Sequence, residues 1–386
     1  MTTLSVREYV LGIYRKLGLD QSQVRKMQTG GPDGDLGSNE ILLGSEKYTA
    51  IVDGSGVLVD PRGLDRDELL RLARERLMIS HYDSSKLSSE GYRVLVEDNN
   101  FKLPSGEVVN NGTSFRNTFH LRGEEYDLFV PCGGRPESID LGTANKLIVK
   151  GKSTIPYIVE GANLFITQDA KLRLEKAGCI LFKDASANKG GVTSSSLEVL
   201  ASLSFDDENF IEHMCVKGDG APPAFYQDYV KQVQSIIKDN ARLEFEAIWR
   251  EHEATGTPRS ILSDRLSMAI TTLDEELQNT ELWDNVELRK SVLRDALPAL
   301  LLDKIGLETI LGRVSRVGKE PRPLSCRGIV QVGARANEID RFQKTTCAQY
   351  SAVTYLRASS TSAESRPASL LSSRCKYKTD DTDGRM

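Results

Sequence analysis

No Cys-X-X-Cys pair occurs in this chain. Its six cysteines, Cys132, Cys179, Cys215, Cys326, Cys347 and Cys375, stand singly, which argues against both a zinc site and a disulfide framework and favours a reducing compartment. The four histidines, His81, His120, His213 and His252, show no ligand spacing either, so no metal centre is expected. No apolar run approaches the roughly 20 residues that a membrane-spanning helix needs, and no membrane partner is expected. Basic charge is also scarce: 50 Lys and Arg against 55 Asp and Glu leave a net charge of −5, so the general footprint of a nucleic-acid binder is missing. The opening stretch MTTLSVREYVLGIYRKLGLD mixes charge into every turn and is not a secretory signal. A cytoplasmic location is expected, with mitochondrial import kept open by the sparse acids of that stretch.

What is present is an ordinary globular composition, 39% hydrophobic and 27% charged over 386 residues, long enough for two domains and a sizeable core. Residues 1–23 read as a helical lead-in. From 24 to 205, short apolar runs alternate with helical stretches. RKMQTGG, YTAIVD, YRVLVED, YDLFVPC, IPYIVEGA and CILFKDA read as buried strands, and DRDELLRLARERL and TQDAKLRLEKAG as helices between them. That alternation predicts an α/β fold, a Rossmann-like doubly wound sheet that is largely parallel. From 206 to 312 the apolar positions recur at helical spacing, with Pro298 kinking or dividing the pattern. Residues 313–386 lose the periodicity, are rich in Ser, Arg and Thr, and hold about twice as many basic as acidic residues. They read as an irregular, disordered tail.

Four constellations in the first region carry chemistry. TGGPDGDLGSNEI, residues 29–41, follows a strand and opens a helix. Its glycines let the backbone turn tightly and approach a ligand, and the helix start favours an anion such as a pyrophosphate. Asp53 ends the next strand about twenty residues on, where a carboxylate bonds a ribose hydroxyl and repels a 2′-phosphate, favouring NAD over NADP. The spacing is not G-X-G-X-X-G, Asp33 and Asp35 oppose a phosphate unless turned away, and a surface turn is the alternative. YDLFVPCGGRPESI, residues 126–139, ends a strand in Pro-Cys-Gly-Gly at the edge where open sheets bind ligands. With no paired histidine, Cys132 reads as packing rather than as a nucleophile. In IPYIVEGANLFIT, residues 155–167, Asn163 either bonds a ribose or carboxamide or caps the next helix. LFKDASANKGGVTSSSLEVLASL, residues 181–203, offers a glycine turn and a hydroxyl-rich helix start, suited to a substrate carboxylate or simply an ordinary N-capped helix.

In this order the four segments resemble the glutamate/leucine/phenylalanine/valine dehydrogenase family, most closely its large NAD-specific glutamate dehydrogenases of fungal type. IVDGSGVLVDPRGLD resembles the family's second strand and following turn, VPCGG its Pro-Cys-Ala turn, EGAN its E-G-A-N turn, and ANKGGVTSSSLE its A-N-x-G-G-V-x-x-S segment. The resemblance covers about residues 1–312. It implies NAD as cofactor, L-glutamate and 2-oxoglutarate as substrate and product, and a homo-oligomer in the full-length family. It places Gly31, Gly34 and Gly37 near the pyrophosphate, Asp53 at the adenosine ribose, and Cys132, Gly133 and Asn163 near the nicotinamide half. Ser195 falls where the family's serine contacts the substrate carboxylate, with Asn188 nearby.

The family's catalytic lysine and aspartate are implied to lie on a domain preceding this one, so no catalytic residue is assigned here. The chain is therefore expected to be incomplete as a catalyst by itself. It also leaves the family pattern after Gly312-Arg313-Val314. A non-catalytic nucleotide-binding or interaction module, or an inactive gene fragment, are the alternative readings.

Overall fold

The computed structural model describes residues 1–122, 126–218, 220–279 and 285–314. The segment read as an irregular tail lies outside the described residues from 315 onward. Each of the six apolar runs holds a strand, and a seventh strand joins them. They are β1 (Arg25–Thr29), β2 (Lys47–Val52), β3 (Gly56–Val59), β4 (Tyr92–Leu95), β5 (Leu128–Pro131), β6 (Tyr157–Val159) and β7 (Ile180–Phe182). The sheet order is β7-β6-β5-β1-β2-β3-β4. Strands β2, β1, β5, β6 and β7 pair in parallel. The chain builds outward from β1 to β2, then returns to the other side of β1 to lay down β5. Strand order thus reverses at β1, and the crevice beyond the carboxyl ends of β1 and β5 is the place where open α/β sheets bind ligands.

Two strands depart from the parallel expectation. The sequence resemblance predicts a turn after β2; instead Val57-Leu58-Val59 folds back as β3, with Val52 opposite Val57 and Ala50 opposite Val59. Three apolar residues between glycine and Asp-Pro are too short a run to stand out, yet β-branched residues suit a pleated, buried surface. Strand β4 pairs antiparallel to β3 and closes that edge. Gly56 is required there, because a Cβ would lie 2.1 Å from the Val94 carbonyl oxygen.

Helices cover both faces. They include α1 (Thr2–Leu17), α2 (Asp35–Leu43), α3 (Arg66–Glu75), α4 (Gln168–Lys176), α5 (Gly190–Ser204), α6 (Asp207–Met214), α7 (Ala224–Thr255), α8 (Arg259–Gln278), α9 (Val286–Ala296), α10 (Ala299–Ile305) and α11 (Leu307–Val314). Pro298 separates α9 from α10, as a residue with no amide to donate should. Side chains alternate through the sheet. Leu128 and Val130 face a core shared with α1 and α7, while Phe129 faces a second core shared with α4.

The α1 face is tightly packed. Phe245 of α7 lies against Gly12 of α1, where a Cβ would be 2.7 Å from the ring. Tyr9, Phe182, Phe245 and Trp249 form an aromatic group, with centroids 4.9 Å apart for Phe182–Phe245 and 5.1 Å for Tyr9–Phe182. Farther along α7, Tyr229, Val233 and Ile237 join Leu197 of α5 and Leu301 and Ile310 of α10 and α11 in a third core. Helix α8 is anchored at its start by Glu175 of α4, which accepts hydrogen bonds from the Arg259 amide at 2.6 Å and the Ser260 hydroxyl at 2.5 Å.

Candidate functional site

The glycine loop leaves β1 at Thr29 and enters α2 at Asp35, so it sits at the crevice. Gly30 has φ +84°, and a Cβ there would lie 2.6 Å from the Gly133 amide nitrogen. At this point the loops after β1 and β5 touch, and Thr29 Oγ1 donates to the Gly133 carbonyl at 2.7 Å. Gly31 abuts the Asp53 side chain; its Cβ would be 2.5 Å from Oδ2. Gly37 lies in the first turn of α2, where a Cβ would be 2.3 Å from the Gly31 carbonyl oxygen and 2.5 Å from that of Gly30. Gly34 differs from these three. It is the N-cap of α2, no side chain caps it, and the nearest atom to its would-be Cβ is 3.7 Å away. Gly30 and Gly31 therefore form the turn, Gly37 packs helix against loop, and Gly34 presents an open, uncapped helix start. Such an end keeps unpaired amides and a positive dipole for an anion. Asp35 is turned outward and pairs with Arg76 at 2.9 Å, whereas Asp33 stays beside Gly31.

Asp53 is buried at the end of β2. Its Oδ1 accepts from the Ser55 amide (2.8 Å) and hydroxyl (2.6 Å), and its Oδ2 from the Ile79 amide (2.7 Å). A carboxylate oxygen accepts two bonds, so Oδ2, the atom beside Gly31, keeps one acceptor position. Burial pushes the Asp53 carboxyl up, these hydrogen bonds pull it back, and nearby Asp33 adds repulsion.

Cys132 follows β5, half-buried, and packs against the α1 core. Burial pushes its thiol well up, so the neutral, unreactive form prevails. The Pro131 carbonyl accepts from the amides of Gly161 (3.0 Å) and Ala162 (2.7 Å), bringing the loop after β6 alongside. A Cβ on Gly161 would be 2.6 Å from Leu36 of α2. Asn163 does not cap the next helix, because Thr167 does so for α4. Instead Asn163 Oδ1 accepts from Asn188 Nδ2 at 2.6 Å, and the same nitrogen reaches the Gly161 carbonyl at 3.0 Å. The structure thus brings Gly31, Gly34, Gly37, Asp53, Cys132, Gly133, Asn163 and Asn188 to one edge through a series of loop-to-loop contacts.

Ser195 is exposed on α5, and its side chain makes no hydrogen bond among the described residues. The paired glycines before it correct the expected glycine turn. Gly190 and Gly191 lie inside the first turn of α5 and pack against α1, where their Cβ atoms would be 2.7 Å from the Met1 carbonyl oxygen and from Thr2 Oγ1 respectively. Their small size serves helix packing. Two nearby lysines are engaged: Lys183 pairs with Asp264 at 2.8 Å and Lys189 with Glu244 at 2.7 Å.

Beneath the glycine loop lies a polar support that no motif in the sequence announces. Gln28 Nε2 donates to the carbonyls of Gly30 (2.8 Å) and Gly37 (3.2 Å), and Gln28 Oε1 accepts from Tyr48 (3.3 Å). Tyr48 accepts from Lys26 Nζ at 3.0 Å. Lys26 in turn pairs with Glu40 at 2.7 Å, and Arg7 of α1 with Glu40 at 3.0 Å and Glu46 at 2.6 Å. Two cations and two anions are buried together. Burial opposes ionisation of Glu46, but Lys26 and Arg7 outweigh it and hold the carboxyl at about 2. The signal was present in RKMQT, whose polar Lys26 and Gln28 recur with period 2 inside a buried strand.

Among the described residues, no group of three or more His, Cys, Asp or Glu side chains is arranged to hold a metal ion, and no helix is long and apolar enough to cross a membrane. Residues 1–256 match the family model described as Glutamate/Leucine/Phenylalanine/Valine dehydrogenase. The chain is 74% identical over 315 residues to an NAD-specific glutamate dehydrogenase of Neurospora crassa, covering 81% of this chain and 30% of that protein. It is 62% identical over 317 residues to a probable NAD-specific glutamate dehydrogenase of Schizosaccharomyces pombe, covering 81% and 28%. With the NAD-specific glutamate dehydrogenase of Saccharomyces cerevisiae the identity is 54% over 325 residues, covering 81% and 30%. The chain thus spans less than a third of the length of these curated relatives.

Proposed function

The chain belongs to the Glutamate/Leucine/Phenylalanine/Valine dehydrogenase family, and on that premise we propose that it is the NAD-binding part of an NAD-specific glutamate dehydrogenase. The reaction served is oxidation of L-glutamate with NAD and water to 2-oxoglutarate, ammonium and NADH. The observation that carries this reading is the meeting of Gly31 and Asp53 Oδ2 beside the uncapped start of α2. A diphosphate fits there because Gly34 leaves space that a side chain would fill, and a ribose fits because Asp53 keeps one acceptor position. The dinucleotide, when bound, supplies the hydride acceptor of the reaction. Gly31, Gly34 and Gly37 hold its pyrophosphate and Asp53 its adenosine ribose. Cys132, Gly133 and Asn163 line its nicotinamide half, with the Asn163–Asn188 bond fixing one amide plane. Asn188 and Ser195 face the substrate.

Calorimetric titration of the purified chain tests this reading. Saturable NAD binding is expected, tighter than NADP binding, because the Asp53 carboxylate repels a 2′-phosphate. Loss of a hydrogen bond to a charged group is worth about 1.5–3 kcal/mol, so Asp53→Ala is expected to weaken NAD by about tenfold or more. A folded chain that binds neither dinucleotide, or binds NADP equally well, overturns the proposal.

A further inference from the structure

At the opposite end of β2 from Asp53, about 20 Å along the strand at 3.3 Å per residue, lies a cavity of about 300 Å³. That volume is at the small end of the roughly 300–1,000 Å³ typical of ligand sites. Its apolar floor is Tyr48, Leu64 and Leu69, and its cationic rim is Lys47, Arg62 and Arg66. We propose that this cavity is a binding site for a small multivalent organic anion, separate from the dinucleotide crevice and independent of the reading given for it.

The charges around the cavity favour this occupant. Lys47 and Arg66 make no ion pair among the described residues, while Arg62 pairs with Glu90 at an exposed position. Arg66 Nη2 donates to the Gly44 carbonyl at 2.5 Å, but its Nη1 is buried with no hydrogen-bond partner among the described residues. Arg66 lines the cavity without an ion pair among the described residues, and a guanidinium matches a carboxylate or phosphate. The stem of Lys47 lies over Gly63, where a Cβ would be 3.0 Å from Cγ and Cε, so the glycine lets the ammonium reach the rim. The lining carboxylate, Glu46, is already bonded by Arg7, Tyr14 and Gln21 at 2.6, 2.9 and 3.2 Å. Its charge is matched from beneath by Arg7 at 2.6 Å and Lys26 at 3.7 Å, so it is not available to neutralise Lys47 and Arg66 on the rim.

The test is an NMR or calorimetric titration of the full chain with citrate, in a background of potassium chloride matched in ionic strength. Saturable citrate binding is expected. It should weaken by about tenfold or more, the value of one charge-assisted bond, in the double variant Arg66→Gln with Lys47→Gln, and should be unchanged in Asp53→Ala. Lys47→Glu alone, at an exposed side chain, is expected to weaken it in a chain whose fold is undisturbed. No saturable binding by the folded chain overturns the proposal, as does binding indifferent to Arg66 and Lys47. A change of citrate affinity in Asp53→Ala overturns it too, above all the tightening expected when a carboxylate is removed from beside a bound anion, because the anion then sits at the glycine loop.

Discussion

Glu160 is fully buried at the end of β6, and two demands meet on its carboxyl group. It accepts from the Ile166 amide at 2.9 Å and the Asp184 amide at 3.2 Å, and it faces Lys171 at 3.0 Å. Burial pushes its pKa up from 4.5 to about 7, Lys171 works against that, and the Asp184 charge adds to it. The folded chain therefore holds more protons than the unfolded chain between these two values. The resulting stabilisation is complete below about 4.5 and is lost as pH rises through about 7. At 1.36 kcal/mol per unit, the effect is on the order of 3 kcal/mol. Glu160→Gln stays neutral at every pH, so urea unfolding of the two chains from pH 4.5 to 8 should show the parent losing stability relative to the variant. A constant gap across that range would refute the assignment. Asp53, by contrast, was legible as a residue because its place at a strand end after a glycine loop is a local property. Its clasp by Ile79, 26 residues away, was not, since only the folded chain brings that amide to it. The capping role offered for Asn163 likewise gives way to a distant partner, Asn188, 25 residues on.

Among the elements, six of the seven strands of the main sheet and the amphipathic helices announced themselves in sequence, because each buries enough apolar surface to leave a pattern. Strand β3 did not: its apolar run is cut short by Gly56 on one side and Asp60 on the other, and it borrows its pairing from β2 and β4. Glycines are the other place where sequence pattern and structure part. Gly190 and Gly191 look in sequence like a ligand-binding turn, yet they bring α5 against α1. Conversely, Gly37 is seven residues from Gly30 and inside α2, yet it packs against the loop, because the first turn of α2 lies on the Gly30 and Gly31 carbonyls. Gly37→Ala should force the Gly30 and Gly31 carbonyls apart, with an overpacking cost of about 1–3 kcal/mol. In the same titration that monitors Asp53, NAD affinity should fall. Unaltered stability and NAD affinity in the Gly37→Ala chain would show that the loop and helix are not packed as described.

Across the described residues as a whole, the change of pattern near residue 205 marks a change in element type while the core runs on. Helix α7 begins in the core of α5, α10 and α11 and ends against the sheet, where Ala241, Phe245, Ile248 and Trp249 share one apolar cluster with Leu128, Val130, Val159 and Phe182. A helix of 32 residues is about 48 Å long at 1.5 Å per residue, so it ties the two regions together along its length. We propose that sheet and helices unfold as one cooperative unit. Phe245 is the place to probe this, since it is fully buried between Gly12, Tyr9, Phe182 and Trp249. Phe245→Ala should cost about 3–5 kcal/mol, the usual loss for a large core aromatic. Because the cost falls on a shared core, urea curves followed by circular dichroism and by fluorescence should stay coincident, with their common midpoint lowered. If the helical signal separates from the sheet's, with only one of the two transitions moving, the two regions are independent. The dinucleotide crevice would then owe nothing to the packing of α7.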